Sequence, residues 1–325
     1  MKSNTVKRYQ QRHHNNRSAG VLRGIILAIL ATLPLCFARG EETERRFSMA
    51  GINTLSINYD AGKIRFYVID SESLVLRENL QRMKNAEVKI EAGTPGSQGT
   101  PDSQGILSIT SKKEGWTPFW LGWKNDVSIA IPRSFQGNLR VNLTSGSLTG
   151  ESDFAVGGNI DMALTSGSVT VRGMSGRRIT LRLTSGSCRA ETLRGETDMA
   201  LTSGSISCGE LSGPSHRLSM TSGSAKLGRV SGTLDAHVIS GGITADFAEL
   251  SGDLRFRANS GTIRLSLPRG QAFNLDAETS SGNIKIASST EGYEIRNRSS
   301  VIRPIGQNPR HTIYARVNSG NITIE

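Results

Sequence analysis

Aromatic residues make up only 5% of this 325-residue chain, and histidine occurs five times, proline nine times and cysteine three times. So thin a supply of large side chains argues against a helical enzyme and suits a turn-rich β protein built from small residues, 36 of which are glycine. The motifs that most often carry catalysis are missing too: there is no GxSxG, HExxH, GxxxxGKS/T or CxxC. Acids are absent from residues 1–40, which hold seven of the 39 Lys and Arg residues. Without that segment the formal +11 falls to +4, from 32 bases and 28 acids. No basic stripe with interleaved aromatics is left over, so a nucleic-acid partner is not expected.

Long apolar runs are lacking except at Gly24–Ala38, GIILAILATLPLCFA. About fifteen apolar residues behind a basic region are short for a membrane span and fit a secretory leader. Export to the periplasm, outer membrane or cell surface is therefore expected. Ala38 or Gly40 would be the last leader residue; lipidation at Cys36, and an uncleaved inner-membrane anchor, stay open.

What the chain has in abundance is one phrase. TSGS stands at Thr144–Ser147, Thr165–Ser168, Thr184–Ser187, Thr202–Ser205 and Thr221–Ser224, and drifts to ISGG at Ile239, NSGT at Asn259, SSGN at Ser280 and NSGN at Asn318. From Gly146 to Gly282 the phrase glycines lie 18 to 21 residues apart, and Gly320 follows after 38. Apolar residues alternate on both sides, as in Ile160, Met162 and Leu164 before Gly167 and Val169 and Val171 after it. That is the pattern of strands with one buried face. A second glycine recurs between phrases at 158, 176, 195, 213, 232 and 252, each with an apolar residue two places earlier.

The fold expected is all-β: a single-chain, β-helix-like β-solenoid with coils of about 19 residues, right-handed, each a long strand, a Ser-Gly corner, a short strand and a second corner. Glycine suits both corners through positive φ. The corner residues Ser145, Gly146, Ser166, Gly167, Ser185, Gly186, Ser203, Gly204, Ser222 and Gly223 would align as a structural seam with a buried edge. Six places before the glycines stand Arg140, Asp161, Thr180, Asp198, Arg217, Asp235, Arg255 and Asp276, predicting opposite charges side by side on adjacent coils.

Residues 1–40 form the leader or anchor, 41–136 a degenerate first coil with an N-terminal capping β region, and 137–325 the regular repeats. In the middle segment residues 41–48 read as a polar lead-in. Leu55, Ile57, Tyr59, Ile64 and Phe66 then flank Gly62 at the repeat's own offsets. Strands are expected at Ser73–Arg77 and Ala86–Glu91, a mobile loop at 93–105, and a strand pair at Ile106–Thr110 and Val127–Ile131. Between that pair, residues 115–123 hold Trp116, Phe119, Trp120 and Trp123. These would either touch a ligand or, as we favour, plug the open end of the solenoid. A loop at 287–311 interrupts the repeats before a final core strand, whose free edge would let the chain self-associate or bind an envelope partner.

Convergent chemistry is sparse. His216 falls in a column otherwise filled by Ile160, Ile179, Leu234 and Leu254, with Thr197 one coil earlier, which predicts a buried Thr–His hydrogen bond. A metal site from Cys188, Cys208 and His216 is the sharper alternative, but two coils separate its ends by ~9.6 Å. The two cysteines occupy different columns ~8 Å apart, beyond disulfide reach, so buried thiols are expected. No catalytic residue, cofactor or metal is assigned. The serious enzymatic rival is a pectin-lyase-like lyase or hydrolase using outward acids such as Asp198 and Asp235.

The phrase L/V-x-L-T-S-G-S-V/I-x-V and the closing IGQNPRHTIYARVNSGNITIE resemble the bacterial putative-adhesin family of β-strand-repeat domains of unknown function, and the related head GIN domain. The resemblance runs from about Phe47 to Glu325, while the segments 93–105 and 115–123 depart from it. It implies an exported β-solenoid named an adhesin by analogy, with no catalytic residues to carry over. An exported, non-enzymatic binding or scaffold surface of the cell envelope is the function expected, with an envelope protein, a glycan or another surface ligand as partner.

Overall fold

A computed structural model describes residues 42–79, 87–91, 105–111, 126–287 and 294–325, and the described residues contain no helix. Fifteen strands form one hydrogen-bonded sheet system: β1 (Glu42–Ser48), β2 (Ile52–Ile69), β3 (Ser73–Asn79), β4 (Glu87–Glu91), β5 (Gly105–Thr110), β6 (Asp126–Pro132), β7 (Asn138–Gly150), β8 (Phe154–Ala155), β9 (Ile160–Phe247), β10 (Leu254–Ser266), β11 (Phe273–Ser281), β12 (Ile284–Ala287), β13 (Glu294–Arg298), β14 (Ser300–Ile305) and β15 (Thr312–Ile324). β9 has 88 residues because hydrogen bonding to neighbouring turns of chain continues straight through its corners.

The period-two columns are the core. Leu139, Val141 and Leu143 pair in parallel with Ile160, Met162 and Leu164, and Leu254, Phe256 and Ala258 with Leu234, Ala236 and Val238. All are buried. A buried aliphatic side chain contributes ~1.5–3 kcal/mol, so repeated columns of them fix the register: a one-residue slip would expose a whole set.

The phrase glycines stand in a single file. A Cβ placed on Gly146, Gly167, Gly186, Gly204, Gly223, Gly241 or Gly261 would land on the carbonyl oxygen of the glycine before it, starting from Gly62. Each has φ between +123° and +151°. The second file is looser than positive φ alone implies. Gly195 and Gly232 have φ of +134° and +104°. Gly213 is held glycine by the Gly195 carbonyl against it, and Gly252 has left the file to face the Thr233 side chain.

Both ends depart from chain order. β5 and β6 do not pair with each other, contrary to expectation; β5 runs parallel to Ile52–Asn58 and β6 parallel to Lys63–Ile69, so they are two arms of one layer beneath β2. At the other end β15 enters between β10 on one side and β11 and β12 on the other. The glycine file accordingly runs 261, 320, 282 rather than 261, 282, 320. Because β15 is bonded on both edges, the free terminal strand expected for self-association is not there. Residues expected to be a lead-in and an interrupting loop are strands: β1 pairs antiparallel with β3, β14 with β11 and β13 with β12. With β3 on β6 and β4 on β5, antiparallel strands cover each end of the parallel stack. Pro304 sits in β14, the last strand of the sheet order, where a missing N–H is tolerated and discourages further pairing.

Candidate binding surface

The first corner is a solvent-facing stripe, and the buried seam expected there is corrected. Thr144, Thr165, Thr184, Thr202 and Thr221 are exposed, as are Ser166, Ser185, Ser203 and Ser222, while Ser145 is half-buried and donates to the Asp60 carbonyl at 3.2 Å. Strand alternation turns the Leu or Met before each Thr inward and the Thr outward. The positive-φ glycine then resets the phase, so Thr and Ser both stay outside.

On the long-strand face, the columns four and two places before the phrase glycines shape a cleft of about 360 Å³. Arg182 and His237 stand at its two ends along the stack, with the small Ala200 and Ser219 between them and Thr184, Thr202, Thr221 and Ile239 along one side. Ile239 is 46% exposed. Neither Asp198 nor Asp235 lines the cleft. The charge ladder beside it is partly as expected: Arg140 faces Asp161 and Arg255 faces Asp235. It breaks at the inserted strand, where Arg255 meets Tyr314, its guanidinium 5.3 Å from the ring centre. Asp276, beyond Tyr314, takes Arg316 at 2.8 Å. Thr180, assigned to the outward column, is buried.

The short-strand face has a different character. One and three places past each phrase glycine, from Gly62 to Gly282, no position holds an acid. The column three places past reads Arg65, Thr149, Thr170, Arg189, Ser207, Lys226, Thr244, Arg264, Thr323 and Lys285 in stacking order. Arg264 lies between Thr244 and Thr323, and Lys285 beside Thr323.

Beneath these faces, Thr197 Oγ1 and His216 Nδ1 are 2.9 Å apart and His216 Nε2 is 2.9 Å from the Ser231 carbonyl. Nε2–H donates to Ser231, and Nδ1 accepts from Thr197. Desolvation lowers the His216 pKa against the opposing pull of that carbonyl. Cys188 and Cys208 are buried free thiols. Burial pushes Cys188 up to about 12 and Cys208 up to about 11. No grouping of three His, Cys, Asp or Glu side chains suited to a metal occurs among the described residues.

The family model for Toastrack DUF4097 matches residues 52–325, from the first coil to the last strand. The chain belongs to the Toastrack DUF4097 family. Among solved structures, this Toastrack chain is similar to a putative adhesin of Bacteroides fragilis NCTC 9343, at 12% identity, covering 88% of this chain and 98% of that one with a TM-score of 0.40. A putative adhesin of Parabacteroides merdae ATCC 43184 matches at 10% identity, 88% and 97% coverage and a TM-score of 0.40. A putative cell adhesion protein of Clostridium sporogenes ATCC 15579 gives 12%, 88%, 99% and 0.27. No curated protein matches the chain.

Of the residues singled out in the sequence, the ten Ser and Gly corner positions come together in one stripe. Trp116, Phe119, Trp120 and Trp123 lie outside the described residues, as do 93–104 and the leader. Sequence reasoning missed the cleft and the acid-free face. Counting three places past each phrase glycine would have found the second.

Proposed function

We propose that this Toastrack chain is an exported, non-enzymatic protein whose stacked coils form a right-handed β-solenoid presenting a rigid binding or scaffold surface in the cell envelope. One observation carries the reading: the coils stack in register, so each outward column offers one side chain per strand spacing, ~4.8 Å, most of them polar, along a solvent-facing side of the described residues. A surface of that kind recognises an extended, repeating ligand. Right-handedness follows from the preference of parallel β connections, and export from the basic, then apolar, Met1–Gly40 segment.

The rival is a polysaccharide-active enzyme. The chain is incubated with a panel of neutral and acidic polysaccharides, and both retention and new reducing ends are measured. Retention without new ends is expected. Turnover that disappears in Asp198→Asn or Asp235→Asn would overturn the binding reading.

A further inference from the structure

Resting on the binding-surface reading, we infer that the short-strand face binds a linear acidic polysaccharide carrying one carboxylate per disaccharide, along the row Arg189, Lys226 and Arg264. These three cations are exposed and occupy every second coil, with the hydroxyls of Ser207 and Thr244 on the coils between. Two strand spacings put successive charges ~9.6 Å apart in a straight line, held by the backbone register rather than by flexible loops. The column two places nearer the corner glycines supplies Ser187, Ser205, Ser224 and Thr262, neutral groups able to exchange hydrogen bonds with sugar hydroxyls.

Charge spacing selects the occupant. A nucleic-acid duplex carries a phosphate every ~3.4 Å along each strand, far denser than this row, and single strands call for stacking aromatics, which both columns lack. An anionic membrane is met by clustered bases flanked by apolar side chains, whereas these bases alternate with hydroxyls. A polymer with an anionic group on alternate sugars matches both the interval and the uncharged positions between. Acids at other outward positions, such as Glu191 and Asp246 two places further along, border the row and confine the polymer to it.

The test uses the full chain and hyaluronan oligosaccharides as probe, with binding measured by calorimetry at low and physiological salt. A hexasaccharide, with three carboxylates, should bind and weaken as salt rises, and a disaccharide should bind at least about tenfold more weakly. Arg189→Gln/Lys226→Gln/Arg264→Gln should lose about tenfold in affinity. Arg140→Gln/Arg217→Gln/Arg257→Gln removes the same charge from the long-strand face and should bind as the parent does. All six positions are exposed, so folding is not at stake, and unchanged circular dichroism verifies it. Equal losses in the two triple variants, no binding of the hexasaccharide at low salt, or tighter binding of an oligothymidylate or anionic vesicles than of the hexasaccharide would each overturn the inference. Failure of the hexasaccharide to bind while the parent chain still retains other glycans would overturn the inference and leave the binding-surface reading standing. Cleavage of the hexasaccharide during the titration would sink that reading itself.

Discussion

Replacing Gly204 by alanine tests the glycine file most directly. Gly204 has φ of +130°, and a Cβ there would fall on the Gly186 carbonyl, with the Gly186 carbonyl carbon at 2.9 Å and nitrogen at 3.1 Å. All three are backbone atoms inside the parallel ladder, so nothing flexible can give way. Left-handed backbone strain for an L residue is ~1–2 kcal/mol. Overpacking a close contact adds ~1–3 kcal/mol. The expected loss is therefore ~2–5 kcal/mol, read as a lower denaturation midpoint in urea. Gly242 is the internal control. It stands one place past a phrase glycine, where other coils carry Ser, Thr, Asn or Lys; its φ is not in the positive region, and an added Cβ would have only the Thr262 carbonyl at 3.7 Å. Gly242→Ala should change stability by less than ~0.5 kcal/mol. If both variants shift the midpoint equally, or Gly204→Ala shifts it negligibly, close backbone approach is not what holds the coils in line.

Three further outcomes are expected. His216→Leu should cost ~1–3 kcal/mol by leaving Thr197 unsatisfied, and adding Thr197→Ile should recover most of it, because both positions belong to an apolar column; a double-mutant cycle with no coupling would contradict this. The lowered His216 pKa makes stability fall with acid: above the unfolded value near 6.5 both states are neutral, and below it the unfolded chain takes the proton first until the folded pKa is passed. Between pH 7 and 5 the urea midpoint of the parent should fall relative to that of His216→Leu/Thr197→Ile, and a pH-independent difference would refute the linkage. Cys188 and Cys208, pushed up to about 12 and 11, should react with a thiol reagent only after denaturation; prompt labelling of the native chain at pH 8 would show them accessible.

The repeat was legible because its causes are local. Alternation around Gly167 or Gly204 needs only the period of a strand, and the Thr197–His216 contact needs only the stacking interval. Exposure of the corner was misjudged because sequence fixes the spacing of Thr202 and Ser203 but not the change of phase at Gly204. The ends were misread for another reason. Nothing in residues 105–132 or 312–324 distinguishes a strand added on top of its predecessor from one slid beneath it, since the apolar columns are identical in both cases. The antiparallel β14 was obscured by Pro304 and its neighbouring bases, which mark a sheet margin as readily as a loop.

Sliding β15 beneath β11 and β12 makes synthesis order and assembly order disagree. Residues 273–287 leave the ribosome before 312–324, yet their parallel neighbour is 312–324. A stack built only by adding each strand to the one before it in sequence would stop at β10, leaving the neighbouring position for the later segment. That late arrival makes residues 312–324 a keystone: until they are inserted, the outermost layer and its antiparallel cover have nothing to rest on.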